Sequence, residues 1–326
     1  MKRFIIKVAI FFLPVIVLAY SIDSFISLNL KKSNTYTGGE YQTWDAIFEG
    51  TINADILIYG SSRAWVHINP TMISNEFNVP AYNLGIDGHN FRLQNLRHEL
   101  LLKYNKKPKM IIHSLDVFTL QKGANLNNPD QFLPYMLWNE EIEKAIMPYV
   151  GYKFWDYRIP LLRYYGKPSA IKTAIYMYLF PKNNPVKRIR GYQGQNISWN
   201  SDFNKAKTKL KNYRVIIDKT SMNLFEAYLK YCRSNNIFLV FVYTPEYIEG
   251  QKFIKNKSEI IKIYNNYSKK YSIPFYDFSQ DEISYNKKMF YNSMHMNLAG
   301  SKLFTRKLID TLDKNGLMNF FENRRK

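Results

Sequence analysis

Residues Asp55-Ile56-Leu57-Ile58-Tyr59-Gly60-Ser61-Ser62-Arg63 constrain the fold more than any other stretch of this chain. A short apolar run stops at Gly-Ser-Ser and gives way to polar sequence. Such a run fits a strand buried on both faces of a parallel sheet. A turn of small residues at the strand's carboxyl end lies where open α/β sheets place their chemistry. A serine there has its hydroxyl at a sheet edge, near free backbone N–H groups. Far downstream lies Asn292-Ser293-Met294-His295-Met296-Asn297-Leu298-Ala299-Gly300. The two segments supply a candidate nucleophile and a candidate base.

The rhythm around the first segment is β-α-β-α-β with short connections, which implies a parallel sheet. Strands are predicted at Asp55 to Tyr59, Val79 to Asn83 and Met110 to Ile112. Asn69-Pro70 reads as a helix start, and Phe91 to Leu101 has helical spacing. The pattern then lapses. Residues from about 123 to 213 hold Trp138, Trp155 and Trp199 without strand alternation. They read as a largely helical insertion, either a roof over the sheet's carboxyl edge or a packing elaboration. The rhythm returns with a helix at Met222 to Cys232 and an apolar strand at Ile237 to Tyr243. A helix at Ile260 to Tyr271, a strand at Ile273 to Phe278 and a closing helix at Leu298 to Leu312 follow.

Composition removes several functional classes. The single cysteine, Cys232, excludes an internal disulfide and a cysteine-rich metal site, and its helical spacing suits a buried thiol. The five histidines form no HxxxH or HxH pair, so no metal or other cofactor is expected. His67, His89 and His113 read as structural. The formal net charge is +20, yet Lys and Arg are scattered, densest at Lys182 to Arg190 and Lys205 to Lys211. No nucleic-acid motif accompanies them, so nucleic acid is not an expected partner. A solvated surface, or attraction to an anionic surface such as a phospholipid headgroup layer or an acidic polysaccharide, fits better.

The amino terminus sets the compartment. Met1-Lys2-Arg3 is basic, and Phe4 to Tyr20 is apolar apart from Lys7 and Pro14. The charge-free part is short for a span and suits a signal-peptide core. No good cleavage site follows. If Lys7 snorkels to the headgroups, Phe4 to Leu28 can span, with Asp23 near the far interface. Residues 1–28 therefore read as an uncleaved signal anchor, ahead of a cleaved signal or an amphipathic cytoplasmic helix. The bulk of the chain is then extracytoplasmic, periplasmic or at the cell surface. Residues 29–50, with Asn34-Thr35-Tyr36-Thr37-Gly38-Gly39, read as a stalk, and 51–326 as the globular domain.

A serine hydroxyl needs a base to become a nucleophile, and histidine titrates in the right range. The resulting oxyanion needs preorganised donors. Gly60-Ser61-Ser62, Asn83-x-Gly85-x-x-Gly88 and His295-x-Asn297-x-x-Gly300 occur in that order. Together they resemble the SGNH (GDSL-like) hydrolase superfamily. The resemblance implies a three-layer α/β/α fold with a flavodoxin-like parallel sheet. It implies Ser62 as nucleophile, His295 as base and Gly88 as oxyanion donor, with Asn83 and Gly85 in the same block.

Two positions depart from the family pattern. Asn292 stands where the triad acid is expected, and His113-Ser114-Leu115-Asp116 lacks the oxyanion asparagine. An amide can orient His295 but cannot stabilise its charged form as a carboxylate would. Asp277 and Asp281 are alternative acids. Arg63 would anchor an anionic substrate or pair with a core carboxylate, and Ser61-Ser62 would at least cap a helix. The resemblance implies an anchored acyl ester hydrolase or O-acyltransferase acting on cell-envelope polysaccharide or a related polymer. Its expected partners are an acylated carbohydrate or polymer and a membrane acyl donor. The departures motivate the alternative, a catalytically weakened accessory protein of envelope assembly.

Overall fold

In the computed structural model the chain is described for residues 1–88, 90–123, 125–185, 187–209, 213–317 and 321, with backbone alone at residues 2, 5, 6, 8 and 9. His89 lies outside the described residues. In chain order the elements are α1 (Lys2–Leu30), α2 (Glu40–Phe48), β1 (Ile56–Gly60), α3 (Ser62–His67), α4 (Pro70–Phe77), β2 (Ala81–Asn83), α5 (Phe91–Tyr104), β3 (Met110–Leu115), α6 (Glu140–Ile146), α7 (Pro168–Leu179), α8 (Asp202–Lys209), α9 (Lys219–Ser234), β4 (Phe238–Tyr243), α10 (Ile248–Gln251), α11 (Lys257–Tyr271), β5 (Phe275–Asp277) and α12 (Leu298–Lys314). They fall into two units. One joins Met1–Asp45 to Ala124–Lys187, and the other joins Ala46–Gly123 to Arg188–Lys326.

The second unit holds one parallel sheet in the order β2-β1-β3-β4-β5. This is the flavodoxin-like order, with its switch point between β1 and β3. Every residue of β1 and β3 is buried, as a sheet covered on both faces requires. Ile56, Ile58, Ile112 and Val242 share a core with Phe304 and Leu308 of α12 and Ile73 of α4. On the other face Tyr59 and Phe241 meet an aromatic cluster containing Phe91 of α5 and Phe225 and Tyr228 of α9. Helices therefore cover both faces.

Element boundaries differ where chemistry intervenes. Pro80 and Pro274 cannot donate to a ladder, so β2 and β5 are shorter than the apolar runs around them. β3 continues through His113 and Ser114 despite their polarity. His113 is buried because Gln94 Oε1 lies 3.0 Å from Nε2 and Tyr228 Oη 3.3 Å from Nδ1. Asn69 caps α4, its Oδ1 accepting from Thr71 and Met72 N–H. Cys232 is buried, and burial pushes its thiol up to about 12.

The proposed stalk contains α2. Tyr41, Trp44 and Ile47 are fully buried at helical spacing. Trp44 Nε1 donates to Gln131 Oε1 at 3.0 Å, and the Tyr41 hydroxyl donates to the Asp130 carbonyl at 2.8 Å. The insertion is also not one body: its described residues up to 187 cluster with the amino terminus, whereas those from 188 on belong with the sheet. In the first unit α7 packs on α1, and Ile10–Leu30 is long and apolar enough to cross a membrane. Asp23 is buried rather than left bare. Arg163 Nη1 and Nη2 donate to its two carboxylate oxygens at 2.8 and 2.7 Å, and Leu161 N–H adds a third bond at 2.7 Å.

Burial pushes His98 down to about 4 and His113 down to about 3, from an ordinary 6.5. Both stay neutral in the fold, whereas the unfolded chain gains protons below pH 6.5. Stability is thus complete above that pH and falls as pH drops toward 3–4. Each histidine costs about 1.4 kcal/mol per pH unit within its window. Melting temperature should fall between about pH 6.5 and 5, where few carboxylates titrate. A flat or rising profile there would contradict the buried, neutral assignment.

Candidate active site

β1 ends at Gly60 with φ +143°, and a Cβ there would lie 2.6 Å from the Ser114 carbonyl on β3. Only glycine fits that turn. Ser61 then caps α3, accepting from Arg63 N–H at 3.4 Å. The Gly60 to Ser114 register brings Asp116, just beyond β3, beside this cap. Ser61 Oγ donates to Asp116 Oδ2 at 2.5 Å, and Asp116 Oδ1 accepts from Phe118 N–H at 2.7 Å. Ser61 is thereby committed to the fold.

The next hydroxyl belongs to half-buried Ser62, whose Oγ lies 2.8 Å from His295 Nε2. His295 sits in the loop before α12. Asn297 caps α12, its Oδ1 accepting from Gly300 N–H at 3.0 Å while its Nδ2 donates to the Lys288 carbonyl at 2.7 Å. A Cβ at Gly300 would come within 2.2 Å of the Met289 carbonyl. The Asn-x-x-Gly part of the motif is therefore a brace that fixes where His295 leaves the backbone.

Asn292 decides the tautomer. Its Oδ1 accepts from Met294 and His295 N–H at 3.0 and 2.9 Å, so the amide cannot be turned around. The same oxygen lies 3.1 Å from His295 Nδ1, which must therefore carry the proton. Nε2 is left as an acceptor facing Ser62. Burial pushes His295 down to about 4, the Arg63 charge adds to this, and Glu246 and Asp202 oppose it. The imidazole is neutral at pH 7 and ready to take a proton. Both ring nitrogens are taken, by Asn292 and Ser62, and Asp281 pairs with Lys307 at 3.0 Å instead. Asp277 Oδ1 accepts from Ser279 N–H at 2.8 Å.

The other expected site residues divide. Asn83 is fully buried: its Nδ2 donates to the Ala64 and Ile68 carbonyls at 2.8 Å, and its Oδ1 accepts from Gly85 N–H at 2.9 Å. Asn83 and Gly85 thus hold α3 in place, and Gly85 has no N–H free for an oxyanion. Gly88 lies in an exposed left-handed turn with φ +66°. Arg63 is only 1% exposed; it faces Glu246 at 3.5 Å, Thr244 Oγ1 at 3.1 Å and the Tyr243 ring. Of its two expected roles, the core pair is the one observed, since a guanidinium so buried must be compensated.

Two residues at the site carry no sequence signal. Tyr291 stacks on His295 with centroids 5.5 Å apart and planes 7° apart. His67 Nε2 accepts from Met296 N–H at 3.0 Å, so its Nδ1 donates to Thr244 Oγ1 at 2.8 Å. Burial holds His67 well below its ordinary pKa, which keeps Nε2 an acceptor. It is a positioning residue for the histidine loop.

No family model and no curated protein matches this chain. Among solved structures it is similar to a proposed lipolytic protein of the G-D-S-L family from Desulfitobacterium hafniense, at 12% identity and a TM-score of 0.40, covering 79% of this chain and 99% of that one. It is also similar to a proposed acylhydrolase from Bacteroides fragilis, at 10% identity and a TM-score of 0.37, covering 80% and 86%.

Proposed function

We propose that this chain is an exported, membrane-anchored serine acyl esterase or O-acyltransferase of SGNH type, acting on cell-envelope polysaccharide or a related polymer. The observation that carries this reading is the 2.8 Å approach of Ser62 Oγ to an imidazole nitrogen that is an acceptor. In the first step Oγ bonds to the acyl carbonyl carbon while His295 Nε2 takes the Oγ proton. The oxyanion collapses, the leaving alcohol takes that proton from His295, and the acyl group stays on Ser62. Water or a sugar hydroxyl then attacks the acyl carbon, again deprotonated by His295; the acyl–Oγ bond breaks, and Ser62 Oγ recovers the proton from His295 Nε2 as the acid or the new ester leaves. The N–H of Ser62, at the first helical position, and the N–H of Gly88 are the proposed oxyanion donors. The basic Lys2-Arg3 flank and the apolar run of α1 support anchoring with the remainder exported, near a membrane acyl donor.

Asn292 favours a second reading, an accessory protein whose site binds but turns over slowly. The test is consumption of a short-chain acyl ester by the purified full-length protein, with and without an oligosaccharide acceptor. An esterase releases free acid in both cases. A transferase places the acyl group on the acceptor. Background rates from folded protein under both conditions would replace the enzyme with the accessory reading.

A further inference from the structure

In the unit formed by residues 1–45 and 124–187, large apolar side chains face outward. Trp138 and Trp155 are each 58% exposed and Tyr165 87%, and Tyr178, Leu179 and Phe180 are exposed as well. A soluble surface rarely carries so much aromatic area without a partner. Two of these residues, Trp138 and Tyr178, lie against the apolar helix. Tyr20 of α1 stacks on Trp138 with centroids 5.4 Å apart and planes 16° apart, and Phe25 meets Tyr178 edge-on at 5.1 Å. Trp138 is tied to the next part of the face, its Nε1 donating to the Arg158 carbonyl at 3.0 Å. Trp155, Tyr165 and Leu162 line one cavity of about 420 Å³ together with Lys153 and Lys167.

α7 extends the pattern. It buries Ala170, Ala174 and Met177 at helical spacing and turns Ile175, Tyr178 and Leu179 outward. Two small residues on the buried face suit close packing on α1. The aromatic side chains thus begin where the exposed apolar run of α1 gives way to packed residues. The one carboxylate on that part of α1, Asp23, is neutralised by Arg163.

We propose that this face is a membrane-interface collar, seated in the headgroup layer around the anchor helix. The proposal rests on the reading that α1 spans a membrane. Tryptophan and tyrosine rings favour the headgroup level because they are apolar at one end and polar at the other. The exposed lysines 153 and 172 would then meet anionic headgroups. A water-facing role leaves both the aromatic face and its continuity with α1 without a cause.

The test uses the full-length protein in phosphatidylcholine–phosphatidylglycerol vesicles. The phosphatidylcholine is unlabelled, brominated near the headgroup, or brominated deep in the acyl chain. Shallow bromine should quench tryptophan fluorescence more than deep bromine, and Trp138→Phe/Trp155→Phe should remove roughly half or more of that quenching. Absence of quenching in protein that resists alkaline carbonate extraction overturns the collar and leaves the anchor standing. Protein that carbonate extracts, without quenching, overturns the anchor and the collar with it. A detergent-solubilised dimer that Trp138→Phe/Trp155→Phe converts to monomer, with no bromine quenching, assigns the face to a second copy and overturns the proposal.

Discussion

Ser62→Ala is expected to lower kcat/KM for a short-chain acyl ester by about three to six orders of magnitude, the range seen when a nucleophile acting as a unit with its base is removed. Ser61→Ala should behave differently although the two hydroxyls are adjacent. Ser61 Oγ is occupied by Asp116 Oδ2 and Arg63 N–H, while Ser62 Oγ faces His295 Nε2. Removing Ser61 Oγ leaves a buried carboxylate oxygen short of a donor and weakens a cap. That costs about 1–3 kcal/mol of stability. Activity of the folded protein should survive within about tenfold, a barrier change under about 1.4 kcal/mol, because the Ser62–His295 pair is untouched. Thermal denaturation separates the two effects. Equal loss of activity in both variants, at unchanged melting temperature, would assign no special role to Ser62.

Asn292→Asp should move the acid limb of the kcat/KM profile upward. On the proposed mechanism neutral His295 is the active form, and burial pushes its pKa down to about 4. Activity should therefore fall only as pH drops through about 4 and stay level above it. A carboxylate at 292 keeps the acceptor for Met294 N–H, His295 N–H and Nδ1–H. It adds a negative charge beside the ring, which raises the imidazole pKa by about one to three pH units. It also stabilises the imidazolium formed as Ser62 attacks. Amidation of a triad aspartate costs up to about four orders of magnitude. The gain here should be smaller, roughly tenfold or more at pH 7, because Arg63 still opposes positive charge on His295. A limb that stays near pH 4 in Asn292→Asp would mean that this oxygen does not govern His295.

The parallel sheet was legible because its strands are apolar runs punctuated by glycine and proline, and this periodicity is local. The Ser62–His295 pairing was legible because both motifs sit at ends of predicted elements on the sheet's carboxyl edge. Asn292 could be named from its offset to His295, but its choice over Asp277 and Asp281 needed distances. What escaped depends on contacts distant in sequence. The apolar spacing of Tyr41, Trp44 and Ile47 was masked by Gly38-Gly39 just before it. Asp23 finds Arg163 far along the chain, and Arg63 finds Glu246, with nothing local announcing either pair. Tyr291 is one tyrosine among 26, and only its parallel stacking on His295 sets it apart.

The most direct test of the site is reaction of the full-length protein with a fluorophosphonate, followed by intact-mass analysis and peptide mapping. Wild type should gain a single adduct on the peptide containing Ser62, at a rate that rises as pH passes upward through about 4 and then levels. Ser62→Ala should gain none. A folded wild type that stays unmodified, or an adduct that persists in Ser62→Ala, would contradict a Ser62 nucleophile activated by His295.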